Sequence, residues 1–200
     1  DLAHEPVRLR RLIDQIADSV RPDVARKRLG FELDIQPDLP AVVLADERRL
    51  SQVLLNILGN AVKFTDTGTL TLRVDSRAAG DGMACLRFEI HDTGVGLQAD
   101  ELAVIFQPFE QLGSQAQRAQ GTGLGLAITQ ALMRQMGGSV TVRSVPGQGS
   151  VFTVELTVPL VDEPPADAPT GLITGYEGPR RRVLVADDVP VSRALLVELL

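Results

Sequence analysis

Asn56, Asn60 and Lys63 fall at i, i+4 and i+7 of a segment with helical periodicity, so they form one polar stripe. Asparagine is a mediocre helix former, and its recurrence on one face has no propensity reason. An amide oxygen is a hard donor suited to Mg2+, an ion that keeps waters and takes substrate phosphates alongside few protein oxygens. Lys63, one turn beyond Asn60, is placed to meet a phosphate oxygen as a point charge. The plain alternative for the stripe is a solvated helix face.

Two glycine-rich stretches add to it. Asp92-Thr93-Gly94-Val95-Gly96-Leu97 closes an alternating segment. Its glycines let the backbone bend and let a ligand approach. An acidic side chain at the rim of an apolar pocket accepts a hydrogen bond from an exocyclic amine such as that of adenine. By itself this pattern is weak and reads first as a plain turn. The other stretch, Gly121-Thr122-Gly123-Leu124-Gly125-Leu126, leads directly into a helical pattern. Backbone N–H groups at such a helix start, together with its dipole, suit phosphate. Its spacing fits neither the P-loop nor the dinucleotide fingerprint.

The elements that must position these groups are legible from periodicity. Leu9, Leu12, Ile13, Ile16 and Val20 mark an amphipathic helix over 9–20, and Phe31–Ile35 alternates as a strand. Asp46 is an N-cap candidate for the helix whose apolar stripe is Leu50, Val53, Leu54, Ile57, Leu58, Ala61 and Val62. Strands follow at 69–75 and 83–91, with 77–82 as their turn, and then a short helix over 99–107. The polar, glutamine-rich stretch 108–121 reads as a mobile loop. A helix over 124–136 stops at Gly137-Gly138, and strands near 139–144 and 150–158 meet at Pro146-Gly147. This order predicts a two-layer α/β (α+β) sandwich, a mixed and mostly antiparallel sheet covered by helices on one face.

The conjunction is more specific than its parts. An Asn/Asn/Lys helix, a DxGxG turn, the Phe106/Phe109 pair, a polar loop and GxGxG before a helix occur in that order. The arrangement resembles the catalytic, ATP-binding domain of sensor histidine kinases, within the larger Bergerat-fold family that includes gyrase B, Hsp90 and MutL. The resemblance spans about residues 5–160. It implies ATP and Mg2+ as ligands, with Asn60 on the metal and Lys63 on a phosphate. It implies that Phe64 lines the nucleotide pocket and Asp92 reads the adenine amine, with Gly94 and Gly96 shaping the floor. It also implies that Asn56 and Phe109 belong to the same site. Gly121, Thr122, Gly123, Leu124, Gly125 and Leu126 would hold the triphosphate, residues 108–120 would form a lid, and Arg118 in that lid is a further phosphate candidate.

Asn56 separates the branches of that family. ATP-hydrolysing members carry a glutamate one turn before the metal-binding asparagine, as general base for water; an amide does not take a proton at neutral pH. The implied function is γ-phosphoryl transfer to a histidine, with no catalytic residue of that transfer in this chain. The alternatives are a gyrase- or Hsp90-like ATP hydrolase and a non-catalytic nucleotide-binding scaffold. The phosphoacceptor would lie on a separate upstream dimerisation hairpin, giving a homodimer of the full-length protein. His4 is not that residue, because a helix and a strand of the catalytic domain fill the stretch between it and Asn60. His91 reads as structural or exposed.

The bulk composition sets outer bounds. With 44% hydrophobic and 23% charged residues the chain has the makings of an ordinary globular core. A net charge of −6, without basic clusters interleaved with aromatics, argues against nucleic acid as a partner. Cys85 is the single cysteine, which fits a reducing, cytoplasmic setting. The expected domains are 1–161 for the ATP-binding unit, a proline-rich acidic linker over 162–180, and 181–200 as the start of a response-regulator receiver domain. There Asp187 and Asp188, after the apolar run Val183–Ala186, resemble a receiver's Mg2+-binding acidic pair. A receiver domain or cognate response regulator is the expected partner.

Overall fold

The computed structural model describes residues 3–110 and 123–161. The chain divides into two compact units, Asp1–Pro165 and Ala166–Leu200, and every described residue belongs to the first. The expected linker, the receiver-like stretch with Asp187 and Asp188, and Gly121, Thr122 and Arg118 lie outside the described residues.

The first strand, β1 (Glu5–Arg8), feeds helix α1 (Leu9–Arg26). Strands β2 (Gly30–Ile35) and β3 (Val42–Ala45) precede helix α2 (Glu47–Phe64). Strands β4 (Thr69–Gly80) and β5 (Met83–Asp92) form a long hairpin, and α3 (Ala99–Val104) follows. The C-terminal part contains α4 (Gly125–Gln135), β6 (Ser139–Val145) and β7 (Gly149–Pro159). The main sheet has the order β2-β4-β5-β7-β6; β2 runs parallel to β4 and the other neighbours are antiparallel. The predicted mixed, mostly antiparallel sheet under helices is therefore what forms.

Alternation fixes the two faces of the sheet. Leu70, Leu72, Val74, Leu86, Phe88, Ile90, Val154 and Leu156 are buried on the helical side. Against them stand Leu12, Ile13 and Ile16 of α1, Leu50, Leu54, Ile57 and Leu58 of α2, and Met133 of α4, all in one apolar cluster. Each such side chain contributes roughly 1.5–3 kcal/mol on full burial. Asp46 caps α2 as expected: it is in extended conformation and its carboxylate accepts the Arg49 N–H at 3.0 Å. The Ala3 N–H reaches the same carboxylate at 3.1 Å and the Arg49 Nε lies 3.3 Å away. Burial acts to raise the Asp46 pKa, but these N–H bonds and the Arg49 charge outweigh it and hold the group below its ordinary value.

Several boundaries differ from the periodicity. Helix α1 continues through Pro22 to Arg26, since buried Val24 and the junction at Lys27 hold its last turn beyond the proline. Strand β4 runs on to Gly80, so the turn expected over 77–82 shrinks to its tip, where Asp81 has a φ of 47°. Backbone pairing with β5 extends the strand past the point where side-chain alternation ends. The third helix stops at Val104 instead of 107. Strands β1 and β3 are additional: they form a separate antiparallel pair, and Val43 bridges to Leu160 at the end of β7. They are four residues each, β1 contains Pro6, and β3 is a continuous apolar run, so neither shows period-two alternation. No helix among the described residues is long and apolar enough to cross a membrane.

The outer face of the sheet is charged, and Glu89 is its one buried acid. Arg87 pairs with Glu89, while His91 and Arg143 stand 3.5 and 3.8 Å from its carboxylate. Burial alone would raise the Glu89 pKa; the Arg87 charge, the His91 hydrogen bond and further pairing overcome it and lower the group. A carboxyl with a lowered native pKa contributes stability above its unfolded pKa and loses it as pH falls through the native one. Glu89→Gln is therefore expected to be about 1–3 kcal/mol less stable at neutral pH. Its urea unfolding curve should converge on the parent's at pH below the ordinary carboxylate range; a pH-independent difference would contradict this.

Candidate nucleotide-binding site

The site begins at the C-terminal half of α2. Its apolar stripe faces the sheet, which leaves Asn56, Asn60, Lys63 and Phe64 half-buried along a neighbouring stripe. The Lys63 ammonium lies 5.0 Å from the centre of the Phe64 ring, a cation–π contact that limits where the lysine swings.

The end of α2 meets the turn that follows β5. The Phe64 carbonyl accepts the Val95 N–H at 3.4 Å. Gly94 lies so close to that carbonyl that any Cβ there would overlap it. A glycine is required at 94 because the helix end and the turn share this space. The Gly94 N–H donates to Asp92 Oδ1 at 2.9 Å. Asp92 is buried, at 8% exposure. Burial raises its pKa, and hydrogen bonds from Gly94 and Ser150 offset only part of that. Such a carboxylate, short of solvent, gains from a further hydrogen-bond donor.

The hairpin of β6 and β7 supports the turn from the other side. Gly147 N–H donates to the Val95 carbonyl at 2.8 Å, and Gly96 packs on the Val145 backbone. Leu97 N–H donates to Ser144 Oγ at 2.8 Å; that hydroxyl also bonds the Gly149 carbonyl at 2.8 Å. Asp92 and Ser150 are paired residues of the β5–β7 ladder. These buttresses are absent from the sequence expectation. Pro146–Ser150 reads as an ordinary hairpin, and nothing in its residue types announces the Asp92 turn as its neighbour.

Helix α4 supplies the third wall. Asn56 Nδ2 donates to the hydroxyl of buried Thr129 at 2.8 Å. Gly125 abuts the Asn56 amide so closely that a side chain there would overlap it. Asn56 therefore ties α2 to the first turns of α4. Leu124 precedes that first turn and Leu126 lies within it, packed on the core. Gly123, with a φ of 70°, accepts the Phe109 N–H at 3.0 Å through its carbonyl. Phe109 itself is 73% exposed with a φ of 68°, so its side chain lines no enclosed pocket, whereas Phe106 packs on the core.

The structure thus brings Asn56, Asn60, Lys63, Phe64, Asp92, Gly94, Gly96 and the Gly123–Leu126 stretch onto three adjoining elements. Sequence reasoning missed Thr129, Ser144 and Ser150. His4 lies away from them, beside a small cavity lined also by Asp46, Met136 and Val158. Among the described residues no cluster of three or more His, Cys, Asp or Glu side chains is placed to hold a metal ion. A Mg2+ ion brought by a polyphosphate needs few protein oxygens, and the uncharged amide of Asn60 fits that role.

Residues 45–160 match the family model described as histidine kinase-, DNA gyrase B-, and HSP90-like ATPase. The chain is 47% identical over 148 residues to the sensor histidine kinase RcsC of Escherichia coli K12, covering 74% of this chain and 15% of that protein. It is 34% identical over 192 residues to the sensor histidine kinase GacS of Pseudomonas protegens, covering 96% of this chain and 20% of that one. The chain thus spans about a fifth or less of these relatives. The fold is similar to full-length ShkA solved in complex with AMPPNP, with a TM-score of 0.70 and 38% identity over 82% of this chain and 33% of that one. The matched model spans more than half of the sequence, and the chain belongs to the histidine kinase-, DNA gyrase B- and HSP90-like ATPase family.

Proposed function

We propose that this domain is the ATP-binding catalytic domain of a sensor histidine kinase, delivering the ATP γ-phosphoryl group to a histidine on a separate dimerisation hairpin. One observation carries the reading: Gly94, packed against the Phe64 carbonyl at the end of the helix that bears Asn60 and Lys63, donates its N–H to buried Asp92. The likeness to RcsC and GacS favours the kinase branch, and AMPPNP, named with ShkA, is an ATP analogue.

In this reading Asp92 accepts a hydrogen bond from the adenine amine, which returns to the carboxylate part of what burial removed. Lys63 meets a phosphate oxygen, Asn60 offers its amide oxygen to Mg2+, and the Gly121–Leu126 stretch cradles the triphosphate. Bound Mg2+ supplies charge neutralisation to the phosphates. The histidine nitrogen attacks Pγ, the bond to the β–γ bridging oxygen breaks, and ADP leaves with that oxygen. Asn56 accepts no proton from water and its amide is engaged by Thr129, so transfer is favoured over hydrolysis. The full-length protein is a homodimer at the cytoplasmic side, and its partner is a receiver domain or response regulator. Asp187 and Asp188 would be the receiver's acidic pair; the GacS match, which extends over nearly the whole chain, is consistent with that.

Mixing the chain with the dimerisation hairpin of the full-length protein and γ-labelled ATP should give acid-labile phosphate on the hairpin, dependent on Mg2+. The chain alone should turn ATP over negligibly; a fast Mg2+-dependent hydrolysis would favour the hydrolase branch instead.

Asp92→Asn should act in opposite directions on binding and stability. An amide places a donor where adenine also donates, so nucleotide affinity should fall by about 10–100-fold in a titration. For a carboxyl with a raised native pKa, the stabilising contribution is full below the unfolded value and is lost as pH rises through the native value. At neutral pH the Asp92 charge is therefore a net cost, and the nucleotide-free variant should melt higher than the parent. Unchanged affinity would remove Asp92 from the site.

A further inference from the structure

We propose that Lys27 is a positioning residue for the nucleotide site, a role that rests on the ATP-binding reading above. Lys27 follows the last turn of α1, where its own N–H bonds the Asp23 carbonyl at 3.2 Å. Its side chain crosses to the far end of α2. There its ammonium donates to the carbonyls of Val62 at 2.8 Å, Lys63 at 2.9 Å and Thr65 at 3.1 Å. Asp66 stands 3.5 Å from the same nitrogen.

The last four carbonyls of a helix have no partner within it, and a cation there also meets the negative end of the helix dipole. An ammonium carries three donors, and here three carbonyls take them. The carbonyl skipped by Lys27 is that of Phe64, the one that receives the Val95 N–H and touches Gly94. The end of α2 is therefore held from both sides: Lys27 grips residues 62, 63 and 65 from α1, and the Asp92 turn grips residue 64. Lys63 and Phe64 are inside that clasp, and Asn60 is one turn before it. Removing Lys27 frees the carbonyls to seek water and lets the helix end fray. Phe64 then no longer fixes Gly94, and through it the Asp92 carboxylate. Lys27 touches no substrate in this account; it acts through α2 and the turn.

The consequence reaches the adenine end of the nucleotide. Disturbing the Phe64–Gly94 contact moves the adenine-reading carboxylate, so binding should weaken for adenosine as well as for ATP. A loss of charge attraction alone would weaken ATP and spare adenosine. The test uses the whole 200-residue chain as Lys27→Met and Lys27→Arg, with ATP and adenosine titrated by calorimetry well below the melting temperature. Lys27→Met should weaken both ligands by about tenfold, the usual cost of removing a group that holds a binding residue in place. Lys27→Arg, which keeps charge and donors, should recover most of that affinity. If Lys27→Met lowers the melting temperature but leaves both affinities unchanged, Lys27 is a helix cap only and the proposal is overturned. Loss confined to ATP would overturn it too, in favour of plain electrostatics. If the parent chain binds neither ligand, the ATP-binding reading itself fails, an outcome separable from the others.

Discussion

The contact between the Phe64 carbonyl and the Gly94 backbone is the constraint on which the site depends. It is made where a helix end and a strand end arrive at one place, with no side chain between them. The sheet carries Asp92 there through the β5–β7 ladder, and the apolar stripe of α2 carries Phe64 there by packing into the cluster that also holds Leu72, Phe88 and Ile90. Asn60, Lys63 and Asp92 are all placed relative to this junction. Because both partners are backbone, the distance is set by the folds of two elements, and only a residue without a Cβ fits between them.

The buried acids of the domain are arranged to different ends. Asp46 and Glu89 are buried acids whose pairing overcomes burial, so their charges stabilise the folded chain. Asp92 is a buried acid whose hydrogen bonds do not overcome burial. A buried carboxylate whose hydrogen bonds do not offset its burial gains from a further donor. Sites of function commonly hold such locally unfavourable groups, at a cost carried by the rest of the core. The core here is sufficient for that, since three helices and six strands bury side chains in one apolar cluster.

The stripe of Asn56, Asn60 and Lys63 divides into different tasks once α4 is in place. Asn56 faces Thr129 and Gly125 and joins two helices. Lys63 rests by Phe64 at the clasped end. Equal spacing on a helix thus does not mean equal duty, because what each position faces is decided by the neighbouring element.

Much of this was legible in the sequence. Helical spacing gave α2 and its cap at Asp46, since both are local properties of residue type and period. The glycines of the Asp92 turn and the start of α4 were legible for the same reason, as was the alternation of β5 and β7. The short strands β1 and β3 were not, because four residues show no period and their pairing is between distant segments. The full reach of β4 was not, because backbone hydrogen bonds to β5 continue it where side chains stop alternating. Lys27, Thr129, Ser144 and Ser150 were illegible as parts of the site, since each acts across a long stretch of chain on a partner that only folding supplies. The sequence by itself determined which residues have the chemistry to bind a nucleotide and which faces of the helices and strands are apolar. The tertiary structure alone decided that Asp92 is buried with incomplete compensation and that α2 is held at its end, because burial and carbonyl capping depend on what packs alongside.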